Sequence, residues 1–361
     1  MKVSFLGMTG YEGVAPGFEI WPAPAHFCDP AIAVESMERT MSLCEKADAL
    51  GFDWVSFAEH HYAPYMMSPN PVLMAAAISQ RVKRAKIALL GPLVPLCNPV
   101  RLAEELAMLD VMSNGRVVVL FLRGTPNEHN TYGTPPELTR SMTQEGIDLI
   151  LKAWQEDTPF SWKSVSYSFS TISIWPRVVQ KPHPVIYGSG NSEESIRYAA
   201  RRRIGIAFSF MPPEMVKAWV DLYRAEAAKE GWEPTPEHVI YRGLAYLADS
   251  DAQAQAQTET AAFFGARAEA QSKLQVTTMG GPPVNALILA KPYFLGSPQT
   301  VLQDFATLRD CGVGVADMVF SIGDHAQQEH AMELFAQHVL PEIHRWDGRK
   351  FTSAPKVLAS A

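Results

Sequence analysis

Cysteine is scarce: the chain holds four in 361 residues, at Cys28, Cys44, Cys97 and Cys311, and no two stand as C-x-x-C. That excludes the common zinc-site and dithiol motifs, and the four read as reduced thiols of a cytoplasmic protein. Charge is thin as well. Asp, Glu, Lys and Arg make up 19% of the residues, with a net charge of −7. A nucleic-acid partner calls for clustered Lys and Arg. The one basic run, Arg201-Arg202-Arg203, falls at the end of a predicted helix, where the helix dipole favours it. No apolar run reaches the roughly 18 residues of a membrane span. The opening Met1-Lys2-Val3-Ser4-Phe5-Leu6 lacks the length and cleavage pattern of a signal peptide. The expectation is a cytoplasmic protein with no nucleic-acid and no membrane partner.

What is present is a 47% hydrophobic fraction, enough for a large core without staples. Short apolar segments alternate with long amphipathic ones. Strands are expected at Lys2–Leu6, Trp54–Ala58, Ala85–Leu90, Val117–Leu122, Val185–Gly188, Ile206–Phe210, Val239–Ala248 and Asp317–Ser321. Helices are expected between them, several with readable ends. Asp29-Pro30 pairs a cap with proline at the first helical position, and Gly51 stops that helix. Others open at Pro71 and Pro99 or run over Thr139–Trp154, Ser192–Arg202, Pro213–Glu230, Asp251–Leu274, Pro298–Cys311 and Ala326–Trp346. Continuous apolar strands such as Val117–Leu122 suit a sheet buried on both faces. Eight β/α units fit a closed (β/α)8 TIM barrel; an open doubly wound sheet is the alternative. One domain is expected over residues 1–350, with a loose tail over 351–361. Two segments break the rhythm: an inserted hairpin at about 160–176 and a lid loop at about 275–296.

In such a barrel the active site lies at the C-terminal ends of the strands. That rule selects Glu59-His60-His61-Tyr62, Arg123-Gly124 with His129, and Gly188-Ser189-Gly190-Asn191-Ser192 with Ser195. The histidines suit acid–base work near neutral pH, or support of their loop. Metal ligation is disfavoured, because neighbours on a strand point to opposite faces, so no metal is expected. The Gly188–Ser195 turn precedes a helix and offers backbone N–H groups and hydroxyls to a phosphate; Ser192 equally suits a helix cap. Arg123, leaving a wholly apolar strand, calls for an anion: a phosphate, or a carboxylate of the barrel. Met8, Trp21, Tyr62, Met66 and His129 are substrate-contact candidates only because their loops face the same rim.

Taken together, Gly51–Asn70, Asn98–Gly124, Gly188–Ser195 and Gly296-Ser297-Pro298 resemble the bacterial luciferase-like family of flavin-dependent monooxygenases. The similarity runs in order along nearly the whole chain and is clearest over residues 50–125. It implies the same barrel and an FMN-dependent two-component monooxygenase. Reduced FMN (FMNH2) from a separate NAD(P)H:flavin reductase would react with O2 to a C4a-(hydro)peroxyflavin that oxygenates a small organic substrate. By position, His60 would stand at the reactive flavin edge as acid–base. Arg123, Gly190, Asn191, Ser192 and Ser195 would hold the flavin phosphate. Leu90-Gly91 would carry a non-proline cis peptide under the ring. Family habit implies a homodimer. The chain departs from luciferase at Asn98, Leu122 and His129, so neither light emission nor an aldehyde substrate is implied. An F420-dependent oxidoreductase of the same fold and a non-catalytic flavin-binding subunit are the alternatives.

Overall fold

The computed structural model describes residues 1–16, 20–260, 294–320, 324–346 and 350–352. Most of the expected lid and of the expected tail lies outside these residues.

Eight parallel strands close on themselves: β1 (Lys2–Leu6), β2 (Trp54–Phe57), β3 (Lys86–Leu93), β4 (Val117–Leu122), β7 (Val185–Ser189), β8 (Gly205–Ser209), β9 (Val239–Leu247) and β11 (Val315–Val319). Each pairs with the next in that order, and β11 returns to β1, with Lys2 opposite Val315. The fold is therefore the expected (β/α)8 barrel, not the open sheet. The antiparallel hairpin of β5 (Phe160–Lys163) and β6 (Ser168–Ile172) is the expected insertion. The last residues of the lid segment form β10 (Phe294–Gly296), which runs parallel to β9.

Alternation along the strands divides the core in two. Trp54, Ala88, Leu90, Val118, Leu120, Tyr187, Ala207, Ile240 and Val315 fill the barrel. Their strand neighbours Val55, Phe57, Ile87, Leu89, Val117, Val119 and Phe121 pack outward under the helices.

The helices end where the local chemistry stops them. In α1 (Pro30–Leu50) Asp29 accepts the Ala31 N–H, and Gly51 closes the helix at φ 101°. In α2 (Pro71–Ser79) and α3 (Pro99–Met112) the caps are Asn70 and Asn98, each accepting two backbone N–H groups. Then come α4 (Pro126–Tyr132), α5 (Thr139–Gln155), α6 (Glu193–Arg202), α7 (Pro213–Lys229), α8 (Asp251–Thr260) and α9 (Pro298–Asp310). Three expectations need correction. The strand expected at Ala85–Leu90 runs on to Leu93. Helix α4 was not foreseen: its sequence, PNEHNTY, has no apolar stripe. The helix expected over Ala326–Trp346 divides into α10 (His325–His338) and a short turn of helix at Leu340–His344, because Pro341 cannot donate into a continuing ladder.

Candidate active site

A cavity of about 610 Å3 opens at the C-terminal ends of the strands. Leu90, Gly91, Phe121 and Leu122 give it an apolar wall, His60 lies on one side, and Arg123, Arg140, Ser189, Asn191, Ser192 and Ser195 supply polar groups. A planar apolar ring with an anionic tail matches that donor set.

His60 leaves the end of β2 and is pinned by its own N–H on the Ser68 carbonyl at 3.1 Å. Its Nδ1 donates to Glu128 Oε1 at 2.9 Å. Glu128 is buried, and its second oxygen accepts the Thr125 N–H at 2.7 Å. Burial pushes this carboxyl up, but the His60 and Thr125 bonds outweigh it and hold it below the ordinary glutamate range. Glu128 is therefore an anion that accepts from Nδ1 and orients the imidazole, and Nε2 has no hydrogen-bond partner among the described residues.

His61 has no such freedom. It is buried, with Nε2 bonded to Glu59 Oε1 at 3.1 Å and Nδ1 to the Tyr132 hydroxyl at 3.3 Å. Glu59 also accepts the Leu93 N–H at 3.1 Å, which ties the loop after β2 to the end of β3. His61 is a loop support.

Arg123 is the first residue after β4. Its guanidinium has no hydrogen-bond or ion-pair partner among the described residues. The surrounding protein and the like charge of Arg140 hold it below the ordinary arginine value, against the pull of Glu194. Arg140, on α5, is ion-paired with Glu194. The neighbouring turn is less free than its sequence suggests. Gly190 gives its N–H to Ala207 O at 2.9 Å and is buried against Phe208, where a Cβ would come within 2.5 Å. It does not line the cavity, so the expectation of a phosphate bond from its amide is corrected. Ser192 and Ser195 do line it, yet they also cap α6: Ser192 N–H donates to Ser195 Oγ at 3.2 Å and Ser195 N–H to Ser192 Oγ at 3.3 Å.

The Leu90–Gly91 peptide bond is cis. A Cβ on Gly91 would lie 1.6 Å from the Leu120 carbonyl oxygen, so only glycine lets β3 and β4 approach this closely. The Leu90 carbonyl accepts Arg242 Nη2 at 3.0 Å, and Arg242 Nε donates to Asp317 Oδ2 at 2.7 Å. Ser56 Oγ donates to the other oxygen of Asp317 at 2.6 Å.

The five substrate candidates lie off the cavity. Met66 is buried with Leu6, Ala58, Leu244, Tyr246 and Val319 at the strand ends, and Met8 packs against that group. Trp21 donates to the His61 carbonyl at 3.1 Å and sits 6.1 Å from the Tyr62 ring. His129 is buried and donates from Nε2 to the Arg123 carbonyl at 2.8 Å. Burial and the Arg123 charge lower its pKa, so it is a neutral support for the arginine's backbone. Glu128, Arg140, Arg242 and Asp317 were missed. The Thr125–Glu128 capping spacing and the lone charges inside apolar β9 and β11 were the available signals. Among the described residues no group of three or more His, Cys, Asp or Glu side chains is placed to hold a metal, and no helix is long and apolar enough to cross a membrane.

Comparison with known proteins follows the same line. The sequence pattern of the luciferase-like monooxygenase family matches residues 18–314. The alkanal monooxygenase alpha chain of Photobacterium leiognathi is 28% identical over 209 residues, covering 57% of this chain and 58% of that one. The oxygenase component of the flavin-dependent trigonelline monooxygenase of Acinetobacter baylyi is 25% identical over 222 residues, covering 60% and 61%. The chain thus spans somewhat over half the length of the curated relatives it matches. The crystal structure of the monooxygenase RslO1 from Streptomyces bottropensis superposes with a TM-score of 0.78 at 26% identity, covering 95% of this chain and 99% of that one.

Proposed function

The chain belongs to the luciferase-like monooxygenase family, and from that premise we propose that it is the oxygenase of a two-component system. It takes reduced FMN from a separate NAD(P)H:flavin reductase and uses O2 to oxygenate a small organic substrate. The observation that carries this reading is the Arg123 guanidinium, without a partner among the described residues, in the same cavity as the His60–Glu128 pair. The named relatives, one an oxygenase component, support it.

When bound, the reduced flavin supplies the electrons that activate O2. The rest is done by the chain. Arg123 binds the phosphate as a charged donor, with Arg140, Ser189, Asn191, Ser192 and Ser195 around it. Leu90, Gly91, Phe121 and Leu122 form the apolar wall that would seat the ring and exclude water from it. His60 takes or delivers a proton at Nε2. Glu128 orients the imidazole and stabilises it when it becomes charged. A homodimer is part of the proposal. Leu73 on α2 and Met108 and Val111 on α3 are exposed apolar side chains that it would cover.

One observation favours a second reading. Arg140 beside Arg123, though ion-paired with Glu194, places a second guanidinium at the rim, which suits the longer acidic tail of F420 and hydride transfer in place of oxygenation. Equilibrium titration with both cofactors separates the two. A non-catalytic flavin-binding subunit would have no chemical use for His60 held by Glu128. The test of function is a reductase-fed reaction under isotopically labelled O2, with organic products read by mass spectrometry. One labelled oxygen atom in a product, the other in water, is expected. No labelled product, together with no binding of reduced FMN, would rule the reading out.

A further inference from the structure

Strand β9 reads VIYRGLAYL and carries one charge, Arg242; β11 reads VADMV and carries one, Asp317. A charge inside a barrel is costly unless it is paired and fully bonded. Asp317 is: its side chain is 0% exposed, with Arg242 on one oxygen and Ser56 on the other. Arg242 is not. Of the five N–H groups of a guanidinium, one goes to Asp317 and one to the Leu90 carbonyl, and no other bond to a described residue is formed. Its side chain is 14% exposed, and that exposed part lines the cavity beside Leu90 and Gly91. The pair is neutral in sum but one-sided, with the anion sealed in the barrel and the cation turned to the cavity. Donors fixed in this way stabilise a negative charge placed against them without reorganising.

We infer that Arg242 is the residue by which this site prefers a reduced, anionic flavin ring over the neutral oxidised one. The inference rests on the flavin reading above. A flavin ring that has taken up electrons and lost the proton of its pyrimidine half carries negative charge there, and a nearby cation is one of the protein's means of tuning it. Arg123 does not supply this preference, because it meets the phosphate, which both redox states share. Arg242 is thus a specificity residue for redox state. Its hold on the Leu90 carbonyl keeps that charge in register with the wall that seats the ring.

The test is anaerobic titration of the intact protein with oxidised FMN and with chemically reduced FMN. The midpoint potential of bound FMN is measured alongside. Arg242→Gln alone strands a buried carboxylate and risks unfolding, so the informative variant is Arg242→Gln with Asp317→Asn, which removes both charges. Arg242→Lys is the control that keeps the cation. Expected is a preference of the wild type for reduced FMN that falls about tenfold or more in the double variant, with the potential of bound FMN moving negative. Arg242→Lys retains most of the preference, and Arg123→Ala weakens both redox states alike. An unchanged preference in a folded double variant, or its loss in Arg242→Lys, would overturn the assignment. Binding of neither state by the wild type would overturn the flavin reading and this assignment with it.

Discussion

Two guanidiniums face the same cavity and are held in opposite ways. Arg123 sits at the rim, just past the end of β4, with no partner among the described residues and only the backbone support of His129 beneath it. Arg242 sits within β9, bonded to a fully buried carboxylate and to the carbonyl of a neighbouring strand. A charge left unpaired on a loop is set to meet something that arrives. A charge locked into the ladder pays its desolvation through the fold and acts by where it points. The same division separates the two adjacent histidines. Among the described residues His60 keeps one nitrogen free, whereas both nitrogens of His61 are taken.

Substitutions should split along that line, turnover and phosphate binding at the rim, stability and redox preference at the floor formed by Arg242. The largest functional effect is expected for His60→Ala. Turnover falls about 10²–10⁴-fold, the usual span for a lost acid–base group, read as labelled product per unit time. Its cost in stability stays below that of the floor variant, because Glu128 keeps the Thr125 N–H. Arg242→Gln is expected to cost about 3–5 kcal/mol of unfolding free energy in urea, the penalty of a stranded buried charge, and the double variant with Asp317→Asn recovers most of it. If the single variant melted like the wild type, the contrast between rim and floor would fail. Arg123→Ala should weaken FMN binding by about 1.5–3 kcal/mol, the worth of a charged hydrogen bond, with little change in melting.

The smallest effect sharpens the His60 side. Glu128 titrates below its unfolded value, so it adds stability that is complete above the ordinary glutamate pKa of about 4.3 and is lost as the pH falls through the lower folded value. Glu128→Gln should flatten that acid limb in a series of melts. An unaltered limb would show that the carboxylate is not held by its partners.

Much of this was legible in the chain. Period and punctuation located the eight barrel strands, and Asp29-Pro30, Pro71 and Pro99 marked three helix starts. His60 and Arg123 were readable as polar residues at strand ends. What was not legible depends on distance and context. Arg242 and Asp317 stand 75 residues apart and meet only when the barrel closes. Each nevertheless gave a signal close to the one that singled out Arg123 at the end of β4, a lone charge against an apolar strand. Arg140 reads as a solvated residue of an amphipathic helix until α5 is laid against the cavity. Gly190 looked like a donor because a glycine-rich turn before a helix often is one, but closing the sheet had already used its amide on Ala207.

The central claim is that Arg123 grips the phosphate of a reduced flavin whose ring lies within the cavity shared with His60. Anaerobic titration of the wild type and of Arg123→Ala with reduced FMN and with reduced riboflavin, which lacks the phosphate, tests it most directly. The account expects the wild type to bind reduced FMN at least about tenfold more tightly than reduced riboflavin, and Arg123→Ala to lose most of that difference. Equal affinity of the wild type for both would contradict it.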